Sequence, residues 1–370
     1  MTPPGGSASG RATRWPSRRR TVLTAVAAAA AAAAIVATAF TRGHSSSSSE
    51  RPKVSSLPAG LARERLFFAE PGRTGIYEAN GTEVATFPNL AGSGYPNQPL
   101  VSGKGVAVYL HAGEAYRVAA SGTRAPQRIG PAVSIFPADR GDVGIEADSG
   151  DEGATVYYMA ANGVVSQRGT AVSRLPPGVT AVARLDDGLL VASAPDASTG
   201  DSRLSVIEPH ATVVLGTATS VIGTSGTIVA WQACARATCA LRLVDTAAPS
   251  NLKDVTETIS PPHGYSGFAA GGGFSPDGSL LAAFVTVSSP SGAPGPRLVL
   301  IRTHTGVTSI VGRPLAFGES VGSADWSADG QWLYFGGLSG VLYAERTSGT
   351  GTLGRAWALP LKTSYVVAGL

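Results

Sequence analysis

Two cysteines, two methionines and five histidines are all that 370 residues hold of the side chains that ligate soft metals or shuttle protons near neutral pH. The histidines, His44, His111, His210, His263 and His304, are scattered, with neither a His-x-His nor a His-Glu-x-x-His spacing. A zinc site is therefore not expected. Charge is scarce as well, at 15% of residues. The five arginines Arg11, Arg14, Arg18, Arg19 and Arg20 account for more than the whole net charge of +4. The basic balance describes a leader, and no nucleic-acid-binding surface follows from it. A nucleophile elbow is missing: the nearest string, Gly264-Tyr265-Ser266-Gly267-Phe268, fails at its last position. The run Ala270-Gly271-Gly272-Gly273 precedes a strand pattern and lacks the helix that a phosphate loop requires. Helix-period stretches are absent after residue 40. No metal and no cofactor are expected.

What is present is glycine, 47 residues of it, with hydrophobic residues at 43% and many Val, Thr and Ala. This composition suits an all-β fold rich in turns. Residues 1–20 form a basic region expected to stay in the cytoplasm. Residues 21–40, TVLTAVAAAAAAAAIVATAF, carry no charge and are long enough to span a bilayer. Arg19-Arg20-Thr21-Val22-Leu23 resembles a twin-arginine export signal, and an ordinary basic secretion signal fits equally. Ala37-Thr38-Ala39 offers a cleavage site, so both a cleaved signal and a retained anchor are open; the length of the span favours the anchor. The expected location is a cell membrane, single-pass with the C-terminal domain outside, or secreted if the signal is cleaved. The serine-rich residues 41–57 cannot bury a core and read as a disordered tether. The folded domain is expected over 58–370.

Within it, GFSPDGSLLAAFV at 273–285 returns as DWSADGQWLYFG at 325–336. Weaker copies mark a repeat at Gly60, Gly105, Gly141, Gly188, Gly226, Gly278 and Gly330, spaced 36 to 52 residues apart. Each unit continues into a third and a fourth alternating strand, such as PRLVLIRTHTG and VTSIVG. Seven such units predict a seven-bladed β-propeller of four-stranded blades, preceded by one N-terminal hydrophobic helix and the tether. Unit one lacks an inner strand, and the apolar segment 364–370 is left over at the other end. That segment is expected to complete the first blade and close the ring.

Phe274-Ser275-Pro276-Asp277-Gly278 and Trp326-Ser327-Ala328-Asp329-Gly330 resemble the repeat of the TolB-like and WD-type propellers. The resemblance implies a propeller with a binding or scaffolding role outside the cytoplasm. The N-terminal domain of true TolB has no counterpart, so no part in the Tol system is implied. In composition, the alanine-rich leader and the cysteine hairpin resemble exported propellers of actinobacteria. Asp277, Gly278, Asp329 and Gly330 are read as blade-turn residues, the glycines supplying positive φ and the aspartates capping the turn.

Cys234 and Cys239 sit where the second strand of unit five turns into the third. In an exported chain they are expected to form a disulfide. The acidic loops 148–153 and 195–201 lack the full spacing of a calcium loop and read as solvated hairpin tips. Loops joining one unit to the next place Tyr95, Pro96, Asn97, His263, Tyr265, Phe317 and Glu319 on one face, a candidate binding surface; the same aromatics could equally plug the channel or pack between blades. The chain is read as a monomeric binding or scaffold module for a protein, peptide or cell-envelope ligand. The alternative is a propeller-type glycoside hydrolase or lyase acting on cell-wall or extracellular polysaccharide, whose paired carboxylates a single sequence does not pick out.

Overall fold

The computed structural model describes residues 57–70, 73–87, 101–103, 105–138, 142–148, 153–159, 165–166, 174–235, 238–247, 257–286, 296–306, 308–311, 321–337, 341–347 and 353–362. The leader, the tether and the C-terminal segment 364–370 lie outside the described residues. Among the described residues no helix is long and apolar enough to cross a membrane.

The chain is nearly all β. A single helical turn, α1 (Ala59–Ala62), precedes the first sheet of β1 (Arg65–Glu70), β2 (Arg73–Glu78) and β3 (Glu83–Phe87). The second sheet is β4 (Val101–Gly103), β5 (Val106–His111), β6 (Glu114–Ala119) and β7 (Gln127–Pro131). The third is β8 (Ser134–Pro137), β9 (Val143–Asp148), β10 (Ala154–Met159) and β11 (Val165–Ser166). The fourth is β12 (Val179–Arg184), β13 (Leu189–Ser193), β14 (Ser202–Ile207) and β15 (Thr212–Ala218). The fifth is β16 (Ser220–Ser225), β17 (Ile228–Ala235), β18 (Thr238–Asp245) and β19 (Glu257–Ile259). The sixth is β20 (Gly267–Phe274), β21 (Leu280–Thr286), β22 (Arg297–Arg302) and β23 (Thr308–Val311). The seventh is β24 (Val321–Trp326), β25 (Trp332–Gly337), β26 (Val341–Thr347) and β27 (Leu353–Lys362). Every sheet is an antiparallel meander in chain order, because each hairpin connection is too short for any other pairing.

The sequence of the middle strands explains how the sheets stack. β21, LLAAFVT, is buried at every position but its last, since both faces of the sheet are covered by neighbours. Among the described residues seven core clusters result, six drawn from two consecutive sheets and one from the first and seventh. Phe268, Leu281 and Val299 of the sixth sheet meet Ile222, Leu241 and Ile259 of the fifth. On the sixth sheet's other face, Phe284 and Leu298 meet Trp326 and Phe335 of the seventh. The seventh in turn shares a cluster with the first: Tyr334, Leu342 and Leu359 pack with Leu61, Leu66 and Tyr77. Each fully buried Leu, Ile or Phe contributes about 1.5–3 kcal/mol.

The signature hairpin joins β20 to β21. Ser275 Oγ donates to Asp277 Oδ1 at 2.6 Å and accepts the Leu280 N–H at 3.0 Å, while Asp277 Oδ1 accepts the Ser279 N–H at 3.1 Å. Gly278 has φ +70°, and a Cβ there would lie 2.9 Å from Ser225 Oγ of the neighbouring sheet. The dihedral requires glycine, and a side chain there would also have to displace the Ser225 hydroxyl. The seventh sheet repeats this chemistry with Ser327, Asp329, Gln331 and Trp332. A threonine at or just past the end of the third strand clasps the hairpins of the fifth, sixth and seventh sheets: Thr303 Oγ1 donates to the Gly278 carbonyl, Thr347 Oγ1 to that of Gly330 and Thr246 Oγ1 to that of Thr227.

One reading needs revision. Gly60 lies in α1 rather than in a hairpin, so the first repeat marker is a helical turn leading into β1. Gly188 does not adopt the positive φ seen at Gly105, Gly226, Gly278 and Gly330; what it supplies is room, a Cβ there falling 2.7 Å from the Ile207 carbonyl. His111 ends strand β5, half-buried with its ring edge-on to Tyr116. Gly141 lies outside the described residues.

Candidate functional site

Of the candidate binding face, Tyr95, Pro96, Asn97, Phe317 and Glu319 lie outside the described residues. His263 and Tyr265 are described, in the connection from β19 of the fifth sheet to β20 of the sixth. The connection folds on itself: the Tyr265 N–H donates to the Pro262 carbonyl at 3.0 Å, across Gly264 at φ +89°. His263 is exposed there, whereas Tyr265 is half-buried and packs on the cluster between the fifth and sixth sheets. One of the two side chains thus faces solvent and the other anchors the loop.

The loop is fixed from both sides. Ser266 N–H donates to the Thr286 carbonyl at 2.9 Å, and Ser266 Oγ to the same oxygen at 3.2 Å. That hydroxyl is engaged by backbone, which disposes of the near-match to a nucleophile elbow. From the fifth sheet, the Cys239 N–H donates to the Ser266 carbonyl at 3.2 Å. Cys239 is the direct cross-strand partner of Cys234 in the β17–β18 hairpin, and the two form a disulfide with an S–S distance of 2.07 Å. Gly267 admits this contact, since a Cβ there would meet Cys239 Cβ at 3.1 Å and Gln232 Oε1 at 2.8 Å.

Gln232 is one of two buried polar pins that the sequence reading missed. Its Oε1 accepts the Phe268 N–H of the next sheet's first strand. Glu146 does the same between the third and fourth sheets: Oε2 accepts the Ala181 N–H and the Ser134 hydroxyl, each at 2.9 Å. Both sit on second strands, opposite Ser220 and Ser134 in register. A lone polar residue inside the apolar runs VGIEAD and IVAWQACA is the signal that could have found them. A buried acceptor left unpaired costs about 1–3 kcal/mol, so these pins fix the seating of one sheet on the next.

The acidic tip 195–201 is bonded largely within itself, with Asp201 Oδ1 also accepting the Thr219 hydroxyl at 2.9 Å. Asp196 Oδ1 accepts the backbone N–H groups of Ser198 and Thr199 at 2.8 and 3.1 Å, together with the Ser198 hydroxyl. Those bonds hold its carboxyl below the usual range. Most of the other acidic tip lies outside the described residues. The glycine run 270–273 lies within β20, where pairing with β21 slips between Ala269 and Gly273, a β-bulge in place of a ligand loop. Among the described residues no group of three His, Cys, Asp or Glu side chains is placed to hold a metal ion.

No protein-family model matches the chain, and no curated protein matches it. Solved structures do. An oligogalacturonate lyase from Vibrio parahaemolyticus, 9% identical, aligns over 78% of this chain and 88% of its own with a TM-score of 0.51. The apo form of AztD from Citrobacter koseri, 14% identical, aligns over 83% of this chain and 98% of its own with a TM-score of 0.44. This chain has a β-propeller fold. At such identities the likeness concerns architecture alone.

Proposed function

We propose that the chain is a closed seven-bladed propeller held outside the cytoplasm, which acts as a binding module for a protein, peptide or cell-envelope ligand. Support for the ring comes from the core shared by the seventh and first sheets. Segment 364–370 would supply the strand that the three-stranded first sheet lacks.

The observation that carries the binding reading is the connection 260–266. It exposes His263 while Tyr265, the Ser266 backbone and the disulfide-closed hairpin of the adjacent sheet hold its path. A loop ordered before its ligand arrives loses little conformational entropy on binding. Such a loop suits recognition over a rigid scaffold.

Crosslinking and affinity capture of the full-length, membrane-bound protein test this reading. A specific partner or envelope fragment should be captured, and His263→Ala should lower its recovery without changing the melting temperature. Cleavage of a wall or extracellular polysaccharide by the purified protein would instead establish the hydrolase or lyase alternative and overturn the binding module.

A further inference from the structure

The disulfide of the fifth sheet is better placed to govern its neighbour than to hold its own strands together. Strands β17 and β18 pair continuously from Ile228 with Asp245 to Ala235 with Thr238, so their register is fixed without it. Cys234 and Cys239 have a sequence separation of 5, and a short closed loop is the case in which a disulfide restrains the unfolded chain least. They form the second-to-last pair of the hairpin, and both are half-buried. The bond thus sits where strand pairing opens most readily and a reductant can reach.

From there its contacts run to the sixth sheet. The Cys239 N–H donates to the Ser266 carbonyl at 3.2 Å. Buried Gly267 lies against the same cysteine: a Cβ on it would meet Cys239 Cβ at 3.1 Å and Cys239 Sγ at 3.6 Å. Ser266 ends the connection that exposes His263, and its own N–H is tied to the Thr286 carbonyl at 2.9 Å. Any displacement of Cys239 is therefore felt first at Ser266 and Gly267. Deeper along β17, buried Gln232 accepts the Phe268 N–H, which sets a fixed point beyond the loop.

We infer that the Cys234–Cys239 disulfide is a redox switch on the connection 260–266, which is held while the bond is intact and loosened when a dithiol reduces it. One thiolate of the dithiol attacks a cysteine sulfur, forms a mixed disulfide and releases the other cysteine as a thiolate. The second thiol of the reductant then displaces the remaining cysteine. Two electrons and two protons pass to the cysteine pair, and the reductant leaves as a disulfide. Cys239 is flanked by Gly267, so Cys234 presents the sulfur to be attacked. Once reduced, the two sulfurs stand at van der Waals contact instead of bonding distance. With Gly267 close against Cys239, the separation is taken up by the last two pairs of the hairpin and by Ser266 and Gly267. This inference rests on the binding-module reading for what the switch controls, and adds to it a means of regulation.

The test is amide hydrogen exchange, read residue by residue, on the full-length protein before and after native-state treatment with dithiothreitol, with alkylation of the freed thiols reporting reduction. Exchange at Cys239 and Ser266 should quicken about tenfold on reduction, while Phe268 keeps its protection. The melting temperature should fall only slightly. A double variant, Cys234→Ser with Cys239→Ser, should show the fast exchange without dithiothreitol and no response to it. Resistance of the folded protein's disulfide to excess dithiothreitol, exchange at Ser266 that ignores reduction, or global unfolding of the reduced protein would each overturn the switch. Those results need no partner and leave the binding module standing, since that reading falls only on polysaccharide cleavage.

Discussion

The hairpins of the fourth and sixth sheets carry nearly the same phrase, Leu185-Asp186-Asp187-Gly188 against Ser275-Pro276-Asp277-Gly278, yet the aspartate fares differently in each. Asp277 accepts from two hydroxyls and a backbone N–H, and those donors hold its carboxyl below the usual range. Both carboxylate oxygens of Asp187 are buried without a hydrogen-bond partner among the described residues. The residue two places earlier decides this. Ser275 bridges its aspartate to the Leu280 N–H, whereas Leu185 has no hydroxyl and turns into the core between the fourth and fifth sheets. An aspartate before a glycine marks the turn in both hairpins, but only the serine makes that aspartate stabilising.

The glycine differs as well, and Gly278→Val should have the largest effect. Its φ of +70° and the nearby Ser225 Oγ together put the cost at about 3 kcal/mol. Thermal unfolding of the full chain measures it, and the binding of any partner captured through the 260–266 loop should persist in the fraction that stays folded. Loss of that partner with unchanged melting would mean the turn is itself a contact.

Ser275→Ala comes next. It leaves the Leu280 N–H and one oxygen of Asp277 short of a partner, for a loss of about 2 kcal/mol. Asp187→Asn should act in the opposite direction and stabilise by about 1 kcal/mol, because removing an unpaired buried charge relieves its desolvation. The opposed signs are the test: if both changes destabilise alike, a partner for Asp187 forms in solution and the contrast between the hairpins dissolves.

This contrast also shows how far the sequence could be read. The hairpin at Phe274–Gly278 was legible because its chemistry is local: serine, aspartate and glycine act on backbone within five residues. Strand alternation likewise located the third and fourth strands of each unit, since more exposed positions alternate with more buried ones there, as along β14 and β15. Glu146 and Gln232 were not legible, because each bonds to a backbone N–H 35 or 36 residues away on the next sheet. Of the candidate binding face, the sequence marked His263 and Tyr265 as aromatic or polar loop residues. It had no means of showing that one is exposed and the other an anchor, because the covering surface belongs to the adjacent sheet.

The smallest effect expected is in the pH dependence of melting, where a carboxyl with donors and one without should again part ways. Asp277 has a depressed pKa, so its contribution is present above the unfolded value and is lost as pH falls through the folded one. Glu345, 2% exposed on β26, is pushed by burial up to about 7. Its register partner Leu333 belongs to the core between the sixth and seventh sheets, where an ionised carboxylate is poorly solvated. For a raised pKa the sign reverses: the native state is favoured below the unfolded value near 4.5, and that advantage drains away as pH rises through about 7. Melting temperature should therefore fall slightly between pH 6 and pH 8, and Glu345→Gln should flatten the slope. Asp277→Asn should leave the slope in this interval unchanged while lowering the melting temperature throughout it, because the wild-type carboxylate is ionised there. A wild-type curve that rises from pH 6 to pH 8 would mean Glu345 finds a cationic partner in solution, and burial alone would no longer separate it from Asp277.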